Sequence, residues 1–251
     1  GSTYQTALDA VRGPIAGPIL GALEDLGVLP KLNLADLAKT IGKADNLIEW
    51  IGERDAGTNG FEALNTVFCM KTGHGLDLTK MTVAQIMAKQ PEWSNWSRKN
   101  KDKCHFVSHA TGKFQAMNVA LTEALANGVI KSGDLFDEKT QNKFGFWAAT
   151  IKSGRKSLAN DFIEARNAWK AGKMTYAAYS AKRNVYHNSL ACEWAAIEKT
   201  NGVGCHGGQG YVKPKDMIAA MDNLPLYSAR LAADAPNVAS KLAKPLELSG
   251  L

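Results

Sequence analysis

Apolar residues recur at three- and four-residue spacing along most of the chain, which predicts a largely helical protein. Residues 4–27 follow this period with interruptions at Pro14 and Pro18, and residues 34–50 repeat it. The second of these helices would bring Glu53 to its C-terminal end. Further helices are expected over residues 114–127, 137–152, 157–170 and 174–199, followed by one that begins near Pro214 and by a terminal helical extension.

Glycine and proline mark the stretches where the helical period stops. Glycines between residues 57 and 75 indicate a loop-rich region with room for short strands, for which residues 61–70 are the best candidate. A short helix starting after Thr82 is expected to end at Pro91, so residues 91–111 are interpreted as a long surface loop. A second glycine-rich loop spans residues 202–210. The pattern predicts a mainly α (α+β) fold with a small β element.

The net charge of +6 over 251 residues favours encounter with anionic polymers, of which nucleic acid and bacterial cell wall are the main classes. Single-strand binders interleave aromatic residues with a basic stripe, and this sequence has no such stripe. We therefore expect no nucleic-acid partner. No apolar run approaches the roughly 20 residues that span a bilayer, so no membrane span is expected either.

Four dispersed cysteines are too few for a disulfide scaffold. Cys192 lies in an apolar helical pattern and is predicted to be buried and free, while one disulfide among Cys69, Cys104 and Cys205 remains open. The pair His105 and His109 has zinc-ligand spacing only if it is helical, and a partner pair is missing. We expect no metal and no cofactor, with a metal-stabilised helical domain as the alternative.

Four sequence elements resemble the phage lambda lysozyme family and the related virion-associated lysozymes. The first has a glutamate at a helix end before a glycine-rich turn and an aromatic-x-x-x-Asn. The second is a Met-Thr-hydrophobic helix, the third an Ala-x-Gly-Arg-Tyr-Gln element, and the fourth a Trp-Ala helix end with a Gly-Tyr loop. The matching residues are Gly52-Glu53, Gly57, Gly60, Phe61 and Asn65; Met81 to Gln90; Ala110 to Gln115; and Trp194 to Ile197 with Gly208 to Tyr211.

This resemblance covers about residues 45–223 and implies a lysozyme-like fold. The expected organisation is an N-terminal helical extension over residues 1–42, a lysozyme-like catalytic domain over residues 43–223 and a C-terminal extension over residues 224–251. Extra terminal helices and the absence of a starting Met favour a domain excised from a virion protein.

The resemblance implies a peptidoglycan-degrading enzyme that cleaves the MurNAc-GlcNAc β-1,4 glycosidic bond. Glu53 would protonate the leaving oxygen and then take a proton from the muramic acid C6 hydroxyl, giving an anhydro product as in lytic transglycosylases. A hydrolase would instead require a second carboxylate near the first. The local candidates for that carboxylate are Asp55, Glu62 and Asp77.

Five further residues are expected to bind substrate or to support the site. Gln115 would bond a sugar group or, alternatively, cap a helix or satisfy polar groups in the core. Tyr211 would stack on a sugar or bond the reacting region, with a buried, hydrogen-bonded tyrosine as the alternative. Asn65 would fix the loop after Glu53. The last two are Phe114, which stands where the family has tyrosine, and His109, which would border the cleft or be an exposed loop histidine.

The expected partners are peptidoglycan glycan strands and, through the terminal extensions, other phage virion proteins. The expected location is the phage virion or the host periplasm and cell wall. Arg54, Lys113 and Phe114 depart from the family pattern. These departures support the alternative of a catalytically silent structural or wall-binding virion domain.

Overall fold

The computed structural model describes residues 42–64, 75–104, 107–208 and 210–246. The protein is mainly helical, which confirms the mainly α part of the predicted fold class. The helices are α1 Leu47–Ala56, α2 Val83–Lys99, α3 Lys101–Cys104, α4 Asn118–Ala126, α5 Glu138–Thr150, α6 Lys156–Lys170, α7 Tyr176–Glu193, α8 Pro214–Asn223, α9 Ala229–Asp234 and α10 Pro236–Ala239. Short 3₁₀ helices lie at Gly57–Glu62, Leu78–Lys80 and Lys152–Gly154.

Within the described ranges, β structure is limited to isolated bridges. Leu64 and Ala116 each pair with Thr111, and Ile197 pairs with Val212. The strand expected over residues 61–70 begins instead as the end of a 3₁₀ helix, and its residues 65–70 lie outside the described part of the chain. The N-terminal helices expected over residues 4–27 and much of 34–50 also lie outside it.

The chain divides into two compact units. The Glu53 unit comprises residues 48–156 and 227–242, of which 65–74 and 105–106 are not described. The Asp222 unit comprises residues 157–226 together with the described residues 42–47 and 243–246, with residue 209 not described.

Helix α2 corrects the expectation that Pro91 ends a helix and opens a long loop, because the helix continues to Lys99. Its start is as predicted, since Thr82 forms a capping box with Gln85. A proline inside a helix removes the hydrogen bond to the carbonyl four residues earlier, here that of Met87. The side-chain amide of Asn118 donates to this carbonyl at 3.3 Å, so the lost backbone bond has a replacement.

The other helices of the Glu53 unit pack around a largely aromatic and aliphatic core. Trp50 of α1 and Phe146 of α5 are fully buried. The Phe146 ring lies 4.9 Å from that of Tyr227, which brings the segment before α9 onto α5. The terminal segment after Pro225, expected to be helical, therefore contributes to the core of this unit through α9 and α10.

In the Asp222 unit, α6 and α8 agree with the predicted helices, while α7 ends at Glu193, six residues before the expected end at residue 199. Their core contains a run of rings from Tyr186 through Phe162 and Tyr179 to Trp169, with the last two stacked at 4.6 Å and 7°. Asn160 and Asn167 of α6 bind the backbone of residues 243–246, which fixes that segment along the helix. In the described part of the chain, no helix has the length and hydrophobicity needed to cross a membrane.

Candidate active site

Glu53 lies in the last turn of α1, as the sequence predicts, and its side chain is half-buried. Residues four apart share one face of a helix, so Glu49 and Glu53 form one stripe and Trp50 and Arg54 form the next. The Arg54 guanidinium lies 5.2 Å from the centre of the Trp50 ring, within cation–π range. Arg54 is thus engaged on the neighbouring stripe.

The segment 111–116 forms a tight turn that is anchored to the chain following α1. Thr111 and Ala116 exchange backbone hydrogen bonds of 3.1 and 2.8 Å, and the Gly112 amide donates to the Ala63 carbonyl at 2.6 Å. Buried Gln141 of α5 accepts from the Lys113 amide at 2.8 Å and donates to the Phe61 carbonyl at 3.0 Å. This turn replaces the helix start that was expected at residue 114, and α4 begins only at Asn118.

Two glycines allow this turn to pack directly against helices on either side. A Cβ at Gly52 would lie 2.9 Å from both the Lys113 and the Phe114 side chains, and one at Gly145 would lie 2.5 Å from the Phe114 ring. The ring is 3% exposed and fills the space between α1 and α5. Phe114 is therefore a buried packing residue. Gly52, which precedes Glu53, is in contact with the turn.

Lys113 extends over Gly52 towards the stripe that carries Glu53. Its ammonium lies 3.4 Å from Glu49 Oε1 and 4.7 Å from the centre of the Phe61 ring, and its side chain is 7% exposed. Arg230 of α9 binds both oxygens of Glu49, at 3.0 and 3.2 Å. Two cations thus compensate the charge of the carboxylate one turn before Glu53, an arrangement that sequence analysis did not identify.

Gln115 has a left-handed backbone, with φ of +47°, which is uncommon for a residue other than glycine. Its backbone and side-chain amides both donate to the Gly112 carbonyl, at 3.0 and 2.8 Å. The side-chain amide therefore closes its own turn. Its Oε1 accepts no hydrogen bond from any residue in the described ranges, so this oxygen can still accept one from a ligand.

His109 caps the start of α4. The Asn118 backbone amide donates to Nε2 at 3.0 Å, so the proton of the neutral ring is on Nδ1, 2.7 Å from Ser94 Oγ. Partial burial lowers the pKa of His109 and favours this neutral form. The histidine is half-buried and joins α2 to α4, which differs from the exposed loop position considered as the alternative.

The three candidate second carboxylates have different surroundings. The Glu62 carboxylate accepts hydrogen bonds from the backbone amides of Leu78 and Thr79, at 2.6 and 3.0 Å. Asp77 forms an exposed ion pair with Lys80 at 3.0 Å. Burial raises the pKa of Asp55 to about 7. Residues two apart do not face each other on a helix, so Asp55 points away from the side that carries Glu53.

The remaining predicted site residues lie elsewhere. Asn65 falls outside the described residues. Tyr211 belongs to the Asp222 unit, where it is 65% exposed, which excludes the alternative of a buried tyrosine. Trp194, a residue of the fourth resembling element, is 4% exposed and lies in the core.

The prediction that Cys192 is free is wrong, because it forms a disulfide with Cys205 across a Cα–Cα distance of 4.9 Å. The bond ties the end of α7 to the glycine-rich loop. Cys104 is buried and free. In the described part of the chain, no three histidine, cysteine or acidic residues form a group suited to a metal, and Cys69, His74 and His105 lie outside that part.

The Asp222 unit contains a buried polar network that the sequence did not indicate. Asp222 accepts from the hydroxyls of Tyr176 and Tyr179 at 2.8 and 2.7 Å and pairs with Arg183 at 3.0 Å. Arg166 donates to the carbonyls of Met221 and Asp222 at the end of α8. Among the described residues, these three partners of the Asp222 carboxylate all come from α7, so the network joins α7 to the end of α8.

No protein-family model, no curated protein and no solved structure matches this chain. The candidate site therefore rests on its own geometry. That geometry is a half-buried glutamate in the last turn of α1 beside a glycine-anchored turn, with a compensated carboxylate one helical turn away.

Proposed function

We propose that the chain is a peptidoglycan-degrading enzyme with a lysozyme-like arrangement, and that it cleaves the MurNAc-GlcNAc β-1,4 bond with Glu53 as its single acid and base. One observation carries this proposal. Gly52, the neighbour of Glu53, contacts the Lys113 and Phe114 side chains, so two of the four resembling sequence elements meet although 60 residues separate them. The setting would be phage lysis or the entry of a virion through the host wall.

The surroundings of the other carboxylates favour a lytic transglycosylase over a hydrolase. A two-carboxylate hydrolase places its acidic groups on either side of the scissile bond. Glu62 is held by two backbone amides, Asp77 is paired with Lys80, and Asp55 faces away from Glu53. In the transglycosylase route Glu53 protonates the leaving oxygen, the C6 hydroxyl attacks the anomeric carbon, and Glu53 then accepts the hydroxyl proton.

The charges around Glu53 suit a neutral sugar at the point of cleavage. Lys113 pairs with Glu49, and Arg230 pairs with both Glu49 and Glu138, so two carboxylates balance the two cations at this turn. Gln115 offers Oε1 to an acetamido N–H or a hydroxyl group, while its amide nitrogen keeps the turn closed. In the Asp222 unit, the exposed ring of Tyr211 offers a face on which a sugar can stack.

The second candidate is a catalytically silent domain that binds the wall. Lys113 and Gln115 favour this candidate, because the Lys113 ammonium pairs with Glu49 and the Gln115 amide nitrogen donates to the Gly112 carbonyl. Such a domain would bind sacculi and release no fragments. The two candidates therefore differ in a single measurable property.

The test is mass spectrometry of the soluble products from purified Gram-negative sacculi. Wild-type protein is expected to release anhydro-muropeptides, and Glu53→Gln to release none. Glu123→Gln, an exposed substitution on α4 in the same unit, is the matched control and should act as the wild type does.

Each other outcome has a defined meaning. Products with reducing ends would identify a hydrolase, and the search for a second carboxylate would reopen around Asp55, Glu62 and Asp77. Equal product release by Glu53→Gln would exclude Glu53 as the acid. Sacculus binding without products from any variant would support the silent wall-binding domain.

A further inference from the structure

A dense group of cations lies where α2 ends and α3 begins. Four of the six residues from 98 to 103 are basic and one is acidic, which gives this segment a charge of +3. The basic side chains are all exposed: Arg98, Lys99, Lys101 and Lys103. We refer to these four residues as the basic face.

The helix beneath the basic face is fixed on its inner side, so the cations are held on an ordered surface. Gln90 donates to the Ala116 carbonyl at 3.0 Å, and Ser97 Oγ accepts from the Ser108 amide at 3.2 Å. The junction between the two helices is also fixed, since the Asn100 side chain donates to the Trp96 carbonyl at 2.8 Å. The outer side of α2 and α3 is left to solvent.

Within the described residues, the basic face is not neutralised by acidic side chains. Lys99, Lys101 and Lys103 form no ion pair with any residue in the described ranges, and Arg98 donates to the neutral side chain of Asn95 at 2.6 Å. Cations in the last turn of a helix are stabilised by its dipole, which accounts for Arg98 and Lys99. Lys101 and Lys103 belong to α3, which is only four residues long.

An aromatic ring borders the cations. Trp96 precedes Lys99 by three residues, so the two side chains are neighbours on α2, and the tryptophan is half-buried. A partner that fits both features combines carboxylates with the apolar face of a sugar ring. The four cations lie within six residues, and so short a face suits a short peptide with a few carboxylates better than the long phosphate backbone of a nucleic acid.

We propose that the basic face binds the carboxylates of peptidoglycan stem peptides, with Trp96 against an adjoining sugar, as a wall-binding surface separate from Glu53. This inference rests on the proposed function for its choice of polymer. It adds a substrate feature that a neutral glycan site does not supply, namely preference for strands that still carry their peptides.

The test is a sedimentation assay of binding to intact sacculi and to glycan strands stripped of peptides by an amidase. The protein carries Glu53→Gln throughout, so that binding is measured without digestion. The basic-face variant replaces all four cations with glutamine. The matched control makes the same change in charge at four exposed lysines outside the basic face: Lys131, Lys139, Lys156 and Lys215.

The basic-face variant is expected to bind intact sacculi about tenfold more weakly than the control, because four exposed charge contacts are lost. The parent protein should prefer intact sacculi to stripped strands, and added salt should remove this preference. Equal binding by the two variants, or equal binding of the parent to both polymers, would overturn the inference. Tighter binding to DNA or to anionic vesicles than to sacculi would also overturn it.

Failure of the basic-face proposal can be distinguished from failure of the catalytic proposal, because each has its own assay. Fragment release by the protein with native Glu53 reports the catalytic proposal, while sedimentation of the Glu53→Gln protein reports the basic face. A chain that cleaves the wall but binds stripped and intact polymers equally would retain the first proposal and lose the second.

Discussion

Replacing Asp55 with asparagine is expected to remove much of the pH dependence of stability between about pH 4 and pH 7. The Oδ2 atom of Asp55 is buried, and burial raises the pKa of the carboxyl from its ordinary 3.8 to about 7. The folded protein therefore retains a proton that the unfolded chain has released. Stability is highest below the unfolded pKa and declines as the pH rises towards the folded pKa.

The size of the effect follows from the two pKa values. The interval from 3.8 to about 7, at about 1.4 kcal/mol per pH unit, gives a loss of up to about 4 kcal/mol in the free energy of unfolding. Asparagine cannot ionise, but burial of its amide costs about 1–2 kcal/mol. The variant should therefore be about 2–3 kcal/mol more stable than the parent at pH 8 and less stable at pH 4.

Urea unfolding at a series of pH values measures this difference directly. Asp77→Asn is a useful control, because the hydrogen bonds from Lys80 and Thr79 lower the pKa of Asp77. The stabilisation from ionised Asp77 is present above the pKa of the unfolded chain and is lost as the pH falls through the lower folded pKa. Asp77→Asn should therefore reduce the free energy of unfolding at neutral pH and leave it unchanged in acid. Parallel stability curves for wild type and Asp55→Asn would refute the assignment of a protonated, buried Asp55.

Three other substitutions test features of the packing. Gly145→Ala forces a Cβ to within 2.5 Å of the Phe114 ring and should destabilise the protein by about 1–3 kcal/mol in urea unfolding, whereas an unchanged midpoint would contradict the close approach. Asp222→Asn leaves buried Arg183 without its counter-charge and should cost about 3–5 kcal/mol in the same assay. Cys192→Ser opens a disulfide between residues 13 apart and should cost about 3 kcal/mol, with no further loss when reductant is added.

The helices with long, uninterrupted periodicity were predictable, because each buries one face regardless of its exact partner. The expected helix over residues 174–199 corresponds to α7, which ends at Glu193, and the helix start after Thr82 is encoded locally because a capping box uses only neighbouring residues. The end of α2 was not predictable in this way. It depends on Asn118, 27 residues after Pro91, whose side chain supplies the missing donor.

The candidate site was predictable only in part, for the same reason. The position of Glu53 at a helix end follows from local pattern, whereas its surroundings come from distant segments. The Glu49–Arg230 pair joins residues 181 apart, and nothing in either local sequence indicates the other. The pairing of Cys192 with Cys205 likewise depends on where the loop returns, which helical periodicity does not report.

The replacement of a backbone bond by Asn118 also has a consequence for how this sequence can vary. With Pro91 in place, loss of the Asn118 amide leaves the Met87 carbonyl without its donor. With a non-proline residue at position 91, the backbone N–H of that residue donates to the Met87 carbonyl, and the side chain at position 118 is no longer needed as its donor. The order of substitution therefore matters for this carbonyl, since Pro91 must change before the Met87 carbonyl can do without Asn118, whose amide also donates to buried Gln90.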